Sequence, residues 1–347
     1  MKNHGDDETM SVHILAIESS CDETSAAVVS DGKIIRSNVI YTQIATHKAY
    51  GGVVPEIASR EHLRKISSVV KTAMEESGLS YEDLSAIAVT KGPGLIGSLL
   101  VGLSYAKALA ETLDLPLIGV HHLSGHLYGG VMSSPGMEPP LCALIVSGGH
   151  SSVVYMPEHL RFEVMGETRD DAAGEVLDKV ARSLGLPYPG GAALEKLASE
   201  GDPNAIEFPR AWLEPDSYDF SFSGLKSHVL NYLNRAEMKG ETVNKADVAA
   251  SFQQALFEVL AEKAVRAAME KNVNQLILSG GVAANQCLCA MIRERAEKNH
   301  ILFHYPPKVL CTDNAAMIGG VAYYKYLKKD FNSISLNATA NMPLQNE

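Results

Sequence analysis

The chain is poor in cysteine, in basic residues and in long apolar runs, and each shortage removes a class of protein. Its five cysteines, Cys21, Cys142, Cys287, Cys289 and Cys311, are odd in number and scattered, with no C-x-x-C pair. That argues against a structural zinc site or a disulfide frame and points to a reducing cytoplasm. No apolar run approaches the ~18 residues that cross a bilayer, so no membrane is expected as a partner. The opening stretch, MKNHGDDETMS, has no apolar h-region, and residues 1–11 read as a disordered extension rather than a signal peptide. Lys and Arg number 30 against 41 Asp and Glu, a net charge of −11. A chain so acidic does not hold nucleic acid by its overall charge. Two local basic groups are candidates for that role, Lys325/Lys328/Lys329 and Arg293/Arg295/Lys298, although such groups are usually solvated helix faces. No G-x-x-x-x-G-K-[ST] occurs, so a P-loop is excluded.

What is present is ordinary for a globular protein: 46% hydrophobic and 20% charged residues. At 347 residues, two subdomains are expected. Three short apolar runs (13–17, 26–29 and 33–40) carry a hairpin signal at Asp31-Gly32. Pro55 opens a helical pattern that Gly78 closes. A strand at 86–90, an apolar helix at 95–113 and a strand at 117–120 follow. The middle restarts the theme, with strands at 141–146, 151–155 and 162–165 and then helices at 170–184, 192–200 and 245–271. A buried strand at 275–278 runs into a glycine turn and a helix from 283. Two hairpin-plus-helices units predict a duplicated architecture with a cleft between the halves and a linker at 133–140. The last helix, 312–329, is expected to pack back on the first half.

Several motifs carry chemistry. His122 and His126 lie four residues apart in VHHLSGHLYGG, which on a helix puts both imidazoles on one face. Two neutral imidazoles so placed can share a divalent ion, although an isolated pair of this spacing is more often two solvated helix histidines. Leu123 stands where H-E-x-x-H has its glutamate, so peptide hydrolysis is not the chemistry. Asp313 sits at a helix start, where an aspartate most often caps; its alternative role is third ligand, and two imidazoles with one carboxylate suit Fe²⁺ or Zn²⁺. Three turns each follow an apolar strand: IESSCDETS (17–25), IVSGGHS (145–151) and LSGGVAAN (278–285). Such turns offer backbone N–H groups to phosphate or carboxylate oxygens. Asp171, Glu175 and Asp178 recur at i, i+4 and i+7 on one predicted helix face. Gly92, Gly94 and Gly97 match G-x-G-x-x-G after a strand, but the next strand ends in His121-His122 without the ribose-binding acid, so the glycines read as a tight turn.

In order along the chain, IESSCDETS, YGGVVPEIASREH, KGPGLIGSLLVG, HHLSGH, VSGGH, DDAAGEVLDK, FSFSGLKS, SGGVAAN and CTDNAAMIG resemble the bacterial TsaD family, the tRNA threonylcarbamoyladenosine transferases. The resemblance covers about residues 12–330. It implies an α/β chain of the actin/hexokinase/Hsp70-like (ASKHA) fold, two ribonuclease-H-like lobes around a nucleotide cleft. The expected division is an N-terminal lobe over 12–132 completed by 305–330, a C-terminal lobe over 141–304 and a tail over 331–347. The implied reaction moves the threonylcarbamoyl group of threonylcarbamoyl-AMP to N6 of the adenosine beside the tRNA anticodon, releasing AMP. By the same resemblance His122, His126 and Asp313 are metal ligands. Ile145, Val146, Ser147, Gly148 and Gly149 form the loop along the donor. Asp178, Gly191 and Asn285 contact the nucleotide, with Glu195 beside the ribose, and Asp22 and Glu23 are the candidates for general base. The chain departs from the family at Ala193, usually Pro, and at Glu195, where some members have Asp. Implied partners are tRNA, the paralogue TsaB, docking on the small-residue helix at 95–113, and the ATPase TsaE. An ATPase or kinase of the same fold would need no histidine pair, and a non-catalytic paralogue would have lost it.

Overall fold

A computed structural model describes residues 11–344, so the expected extension lies, but for Ser11, outside the described residues. The chain begins with an antiparallel meander, β1 (His13–Glu18), β2 (Glu23–Ser30) and β3 (Ile34–Thr42). Asp31 and Gly32 make its second turn with φ of 51° and 70°, the left-handed pair that a tight hairpin needs and that Asp and Gly tolerate. Then come α1 (Ile44–Lys48), α2 (Pro55–Ser77), β4 (Ala86–Gly92), α3 (Ile96–Leu113), β5 (Leu117–His121) and α4 (His122–Ser133). Helix α2 starts on Pro55 and stops at Gly78 with φ 71°, as its two punctuating residues require.

The second unit repeats the first. It comprises β6 (Leu141–Val146), β7 (Ser151–Glu158), β8 (Arg161–Glu167), α5 (Ala173–Ser183), α6 (Gly190–Ala198), α7 (Ser223–Lys239) and α8 (Lys245–Glu270). It closes with β9 (Gln275–Ser279), α9 (Gln286–Lys298) and β10 (Leu302–His304), and α10 (Lys308–Cys311) and α11 (Ala315–Leu327) follow. The sheet orders are β3-β2-β1-β4-β5 and β8-β7-β6-β9-β10. In each, an antiparallel meander is extended by two parallel strands. The central strands are apolar on both faces because helices cover both.

Helix α4 joins the two units. It is buried from His122 to Val131 and packs on α11 and on β9. Glycines make that approach possible. A Cβ on Gly125 would stand 2.8 Å from Ile318 Cδ1, and one on Gly130 would stand 2.4 Å from Ile277 Cγ2. Ile277 is β-branched and fully buried, so it cannot swing away. Gly130→Ala is therefore expected to cost about 1–3 kcal/mol by overpacking, read as a lower denaturant midpoint.

Residues 331–344 are not a loose end. Asn332 pairs with Leu117 and takes the Gly119 N–H on its Oδ1 at 2.7 Å, covering the exposed edge of β5. Thr339 N–H then donates to Lys91 O (2.9 Å) and Gly94 N–H to Ala340 O (3.1 Å). The segment ends against His121, whose Nε2 lies 3.0 Å from Met342 O.

Candidate active site

The turns that end the central strands of both units face one cavity of about 1000 Å³. Helix α4 enters it from β5. His121 caps that helix, its Nδ1 accepting the Leu123 N–H at 3.1 Å. The next turn then presents His122 and His126 on one face, with ring centroids 4.7 Å apart and edge to face. Asp313 reaches them from the loop before α11. It does not cap that helix, because Asn314 does, accepting the Met317 N–H on Oδ1 at 3.1 Å. Asp313 Oδ1 is thereby left for the histidines, 3.2 Å from His126 Nε2 and 3.5 Å from His122 Nε2.

Two imidazole nitrogens and one carboxylate oxygen, all within 4.8 Å of one another, make a group that could hold a metal ion. Its strongest mark is His126. Among the described residues neither buried ring nitrogen makes a hydrogen bond, Nε2 only standing 3.2 Å from Asp313 Oδ1, a costly state for polar atoms that a coordinated cation relieves at Nε2. Two imidazoles and a carboxylate suit a borderline divalent ion. The electrostatics agree. Burial opposes charge on His122, yet Asp313 and Glu18 outweigh it and push its pKa up to about 9. Burial, Asp313 and Asp22 push Glu23 up to about 10. Against its own burial, Asp313 is held well below the usual carboxylate range by His122 and His126. Such a concentration of carboxylates around two imidazoles is what a divalent cation balances.

The other expected site residues fall into two groups. Asp22, Ser147, Gly148, Gly149 and Asp178 line the cavity. Ser147 and His150 spend their N–H groups on the turn, Ser147 N–H on His150 O (2.8 Å) and His150 N–H on Ser147 Oγ (3.1 Å). Asp178 Oδ1 accepts the Gly190 N–H at 2.7 Å, and burial raises its pKa against the N–H groups of Gly190 and Gly191. The second group stands behind this wall. Ile145 and Val146 are fully buried in β6. Glu23 accepts from Thr42 Oγ1 at 3.1 Å. Glu195 Oε1 takes the Gln286 N–H at 2.7 Å, tying α6 to α9. Asn285 Oδ1 caps α9 by accepting from Cys287 and Leu288 N–H groups at 3.0 and 3.2 Å. Gly191 is the second residue of α6, with its backbone N–H toward Asp178.

Two sequence expectations change, for Asp171 and for the basic groups, and one, for the glycine turn, holds. Asp171 precedes α5 rather than riding on it, and pairs with Lys226 and Lys179. The glycines of G-x-G-x-x-G are filled from within the protein: a Cβ on Gly92 would stand 2.2 Å from Thr339 O and one on Gly94 2.6 Å from Ser20 O, so no pyrophosphate fits there. Lys325 is buried and ion-paired with Asp330 at 2.7 Å, and Arg295 and Lys298 pair with Glu262 and Glu294, which weakens both basic groups. Other residues were missed. His62 bridges Thr24 Oγ1 (2.7 Å) and Cys21 O (2.8 Å) and so holds the acidic turn. Arg182 lines the cavity and bonds Gly51 O on the opposite side. Glu18, buried at the end of β1, touches His122. A charged residue closing an apolar strand was the one sequence signal for it.

A sequence model of TsaD, tRNA N6-adenosine threonylcarbamoyltransferase, matches residues 34–320. The tRNA N6-adenosine threonylcarbamoyltransferase of Moorella thermoacetica is 58% identical over 332 residues, 96% of this chain and 97% of that one. Its counterpart in Desulfitobacterium hafniense is 56% identical, over 96% of this chain and 98% of that one. Among solved structures, HypF of T. kodakarensis superposes with a TM-score of 0.63 at 19% identity, over 94% of this chain and 50% of that one. Component A of the Acidaminococcus fermentans (R)-2-hydroxyglutaryl-CoA dehydratase gives 0.51 at 16% identity, over 92% and 99%. These likenesses show the fold, the actin/hexokinase/Hsp70-like arrangement expected from the sequence.

Proposed function

We propose how the cavity works from the premise that this chain belongs to the TsaD family of tRNA N6-adenosine threonylcarbamoyltransferases. The donor is threonylcarbamoyl-AMP and the acceptor is N6 of the adenosine next to the tRNA anticodon. The N6 lone pair forms a bond to the carbamoyl carbon, the bond from that carbon to the phosphate oxygen breaks, and AMP leaves with the electron pair. The observation that carries this reading is the His122, His126 and Asp313 group opening on the same cavity as the Ser147–Gly149 turn. These three residues would hold Fe²⁺ or Zn²⁺, which supplies Lewis acidity toward the donor's carbonyl. The glycine turn offers N–H groups to oxygens of the donor where negative charge develops. Asp178, with Gly191 and Asn285 behind it, receives the adenosine, and Glu195 sets the joint between α6 and α9 on which that pocket depends. Of the two candidate bases Asp22 is favoured over Glu23, because Asp22 lines the cavity and Glu23 is bonded to Thr42.

Among the described residues no helix is long and apolar enough to cross a membrane. The acceptor is a tRNA, yet the chain carries a net charge of −11, and phosphate contacts from Lys and Arg supply most nonspecific affinity. Partners complete the surface in this reading. On α3, Ile96, Gly97, Leu100 and Ser104 form an exposed face of small and apolar residues that meets Ser59 of α2 at Gly97, while Gly102 and Ala106 pack inward. That face supports docking of the paralogue TsaB, with the ATPase TsaE joining the assembly. The test is a purified assay with threonylcarbamoyl-AMP, tRNA and this chain. Sustained turnover is expected only after both partners are added; full turnover by the chain alone would overturn this part.

A further inference from the structure

Glu18 is a carboxylate with no exposure, at the end of β1, in a strand otherwise apolar. Among the described residues no Lys or Arg hydrogen-bonds or ion-pairs with it. Taking such a group out of water costs several kcal/mol unless donors surround it. Three do. Ser20 N–H donates to Oε1 at 2.5 Å, Thr90 Oγ1–H to Oε2 at 2.5 Å, and His122 Nδ1 lies 3.1 Å from Oε2. Ser20 Oγ lies 3.2 Å from the same Nδ1.

A carboxylate offers lone pairs only, so this contact is a hydrogen bond only when His122 carries its proton on Nδ1. The lone pair of the neutral ring is then on Nε2, the nitrogen that faces Asp313 at 3.5 Å. His126 has no such support: its Nδ1 is buried with no partner. The two imidazoles are therefore unequal. One arrives with its tautomer and ring angle fixed from behind, and the other has no bond at Nδ1 to do so. The fixing group comes from another element, since Glu18 stands on β1 and His122 on α4. Through Ser20 N–H the same carboxylate also shapes the turn that carries Cys21 and Asp22.

We propose that Glu18 is a positioning residue for the metal centre: it holds His122 in the Nδ1–H tautomer, aims Nε2 at the ion, and ties the acidic turn to that geometry. The inference rests on the metal-centre reading above, and goes beyond it by assigning a role to a residue that touches neither ion nor substrate. Outer partners of this kind typically set metal affinity by about 10- to 100-fold.

Two measurements test it, neither of which depends on transfer activity. In the first, zinc alone is titrated into metal-free protein against a chromophoric chelator. Glu18→Gln is expected to weaken zinc binding about 10- to 100-fold. Thr90→Val, which removes a different bond to the same carboxylate, should weaken it by less than about threefold. Equal affinity in Glu18→Gln and the parent chain would overturn the proposal, and so would an equal loss in both variants, which is what a merely structural role gives. In the second, the unaltered zinc-bound chain with ¹⁵N-labelled histidine is examined by long-range ¹H–¹⁵N correlation. A protonated Nδ1 and a metal-bound Nε2 on His122 are expected; coordination through Nδ1 would overturn the proposal even if Glu18→Gln fails to fold. Should zinc not bind the unaltered chain at all, the metal-centre reading itself fails, and the positioning role fails with it.

Discussion

His126→Ala is expected to abolish metal retention and to lower kcat/KM at least about a thousandfold, roughly 4 kcal/mol of transition-state stabilisation. The metal-free variant should stay folded. Among the described residues Nδ1 makes no hydrogen bond, and Nε2 faces Asp313 Oδ1 at 3.2 Å, a carboxylate that keeps His122 beside it at 3.5 Å. The split between the two readouts is the useful part. In the parent chain, added divalent metal should raise the melting temperature, because binding to the native state alone stabilises it by mass action. In His126→Ala that rise should vanish while the metal-free melting temperature moves little. Elemental analysis and paired thermal melts check both halves. Equal metal content in variant and parent would remove His126 from the site.

Asp178→Ala is expected to weaken binding of a non-reactive adenylate analogue by roughly 5- to 150-fold, the cost of about 1–3 kcal/mol for a polar partner lost from a partly buried site. Asp178 is a demanding residue to remove. Its Oδ1 holds the Gly190 N–H at 2.7 Å, so alanine also frees the start of α6 and with it Glu195, which anchors Gln286. Calorimetry should show the loss in affinity with metal content unchanged, because Asp178 belongs to the other wall of the cavity. Unchanged affinity would place the adenosine elsewhere.

The histidine pair was legible because helical spacing alone puts i and i+4 on one face, and α4 obliges. The duplication was legible because the same run of short strands and helices occurs twice, and it returns as two sheets of matching order. Asp313 was ambiguous between cap and ligand. The neighbour removes the first reading: Asn314 takes the cap, an arrangement that needs backbone geometry to see. Asp171 was misplaced for a similar reason, since the helix begins at Ala173 and leaves it in the turn before. Glu18 had no motif, because a carboxylate is drawn into a core by three donors that lie 2, 72 and 104 residues away. The strap at 331–344 had no periodicity to reveal it, being held by backbone bonds and by room left at Gly92.

The central claim is that the two histidines and Asp313 form one metal centre inside the transfer cavity. The most direct measurement is an anomalous difference map from crystals of the metal-loaded chain with a non-reactive donor analogue bound. The account expects a single peak about 2.0–2.2 Å from His122 Nε2, His126 Nε2 and an Asp313 carboxylate oxygen, with the donor's carbonyl beside it. A peak elsewhere, or no peak in protein that still transfers at full rate, would contradict it.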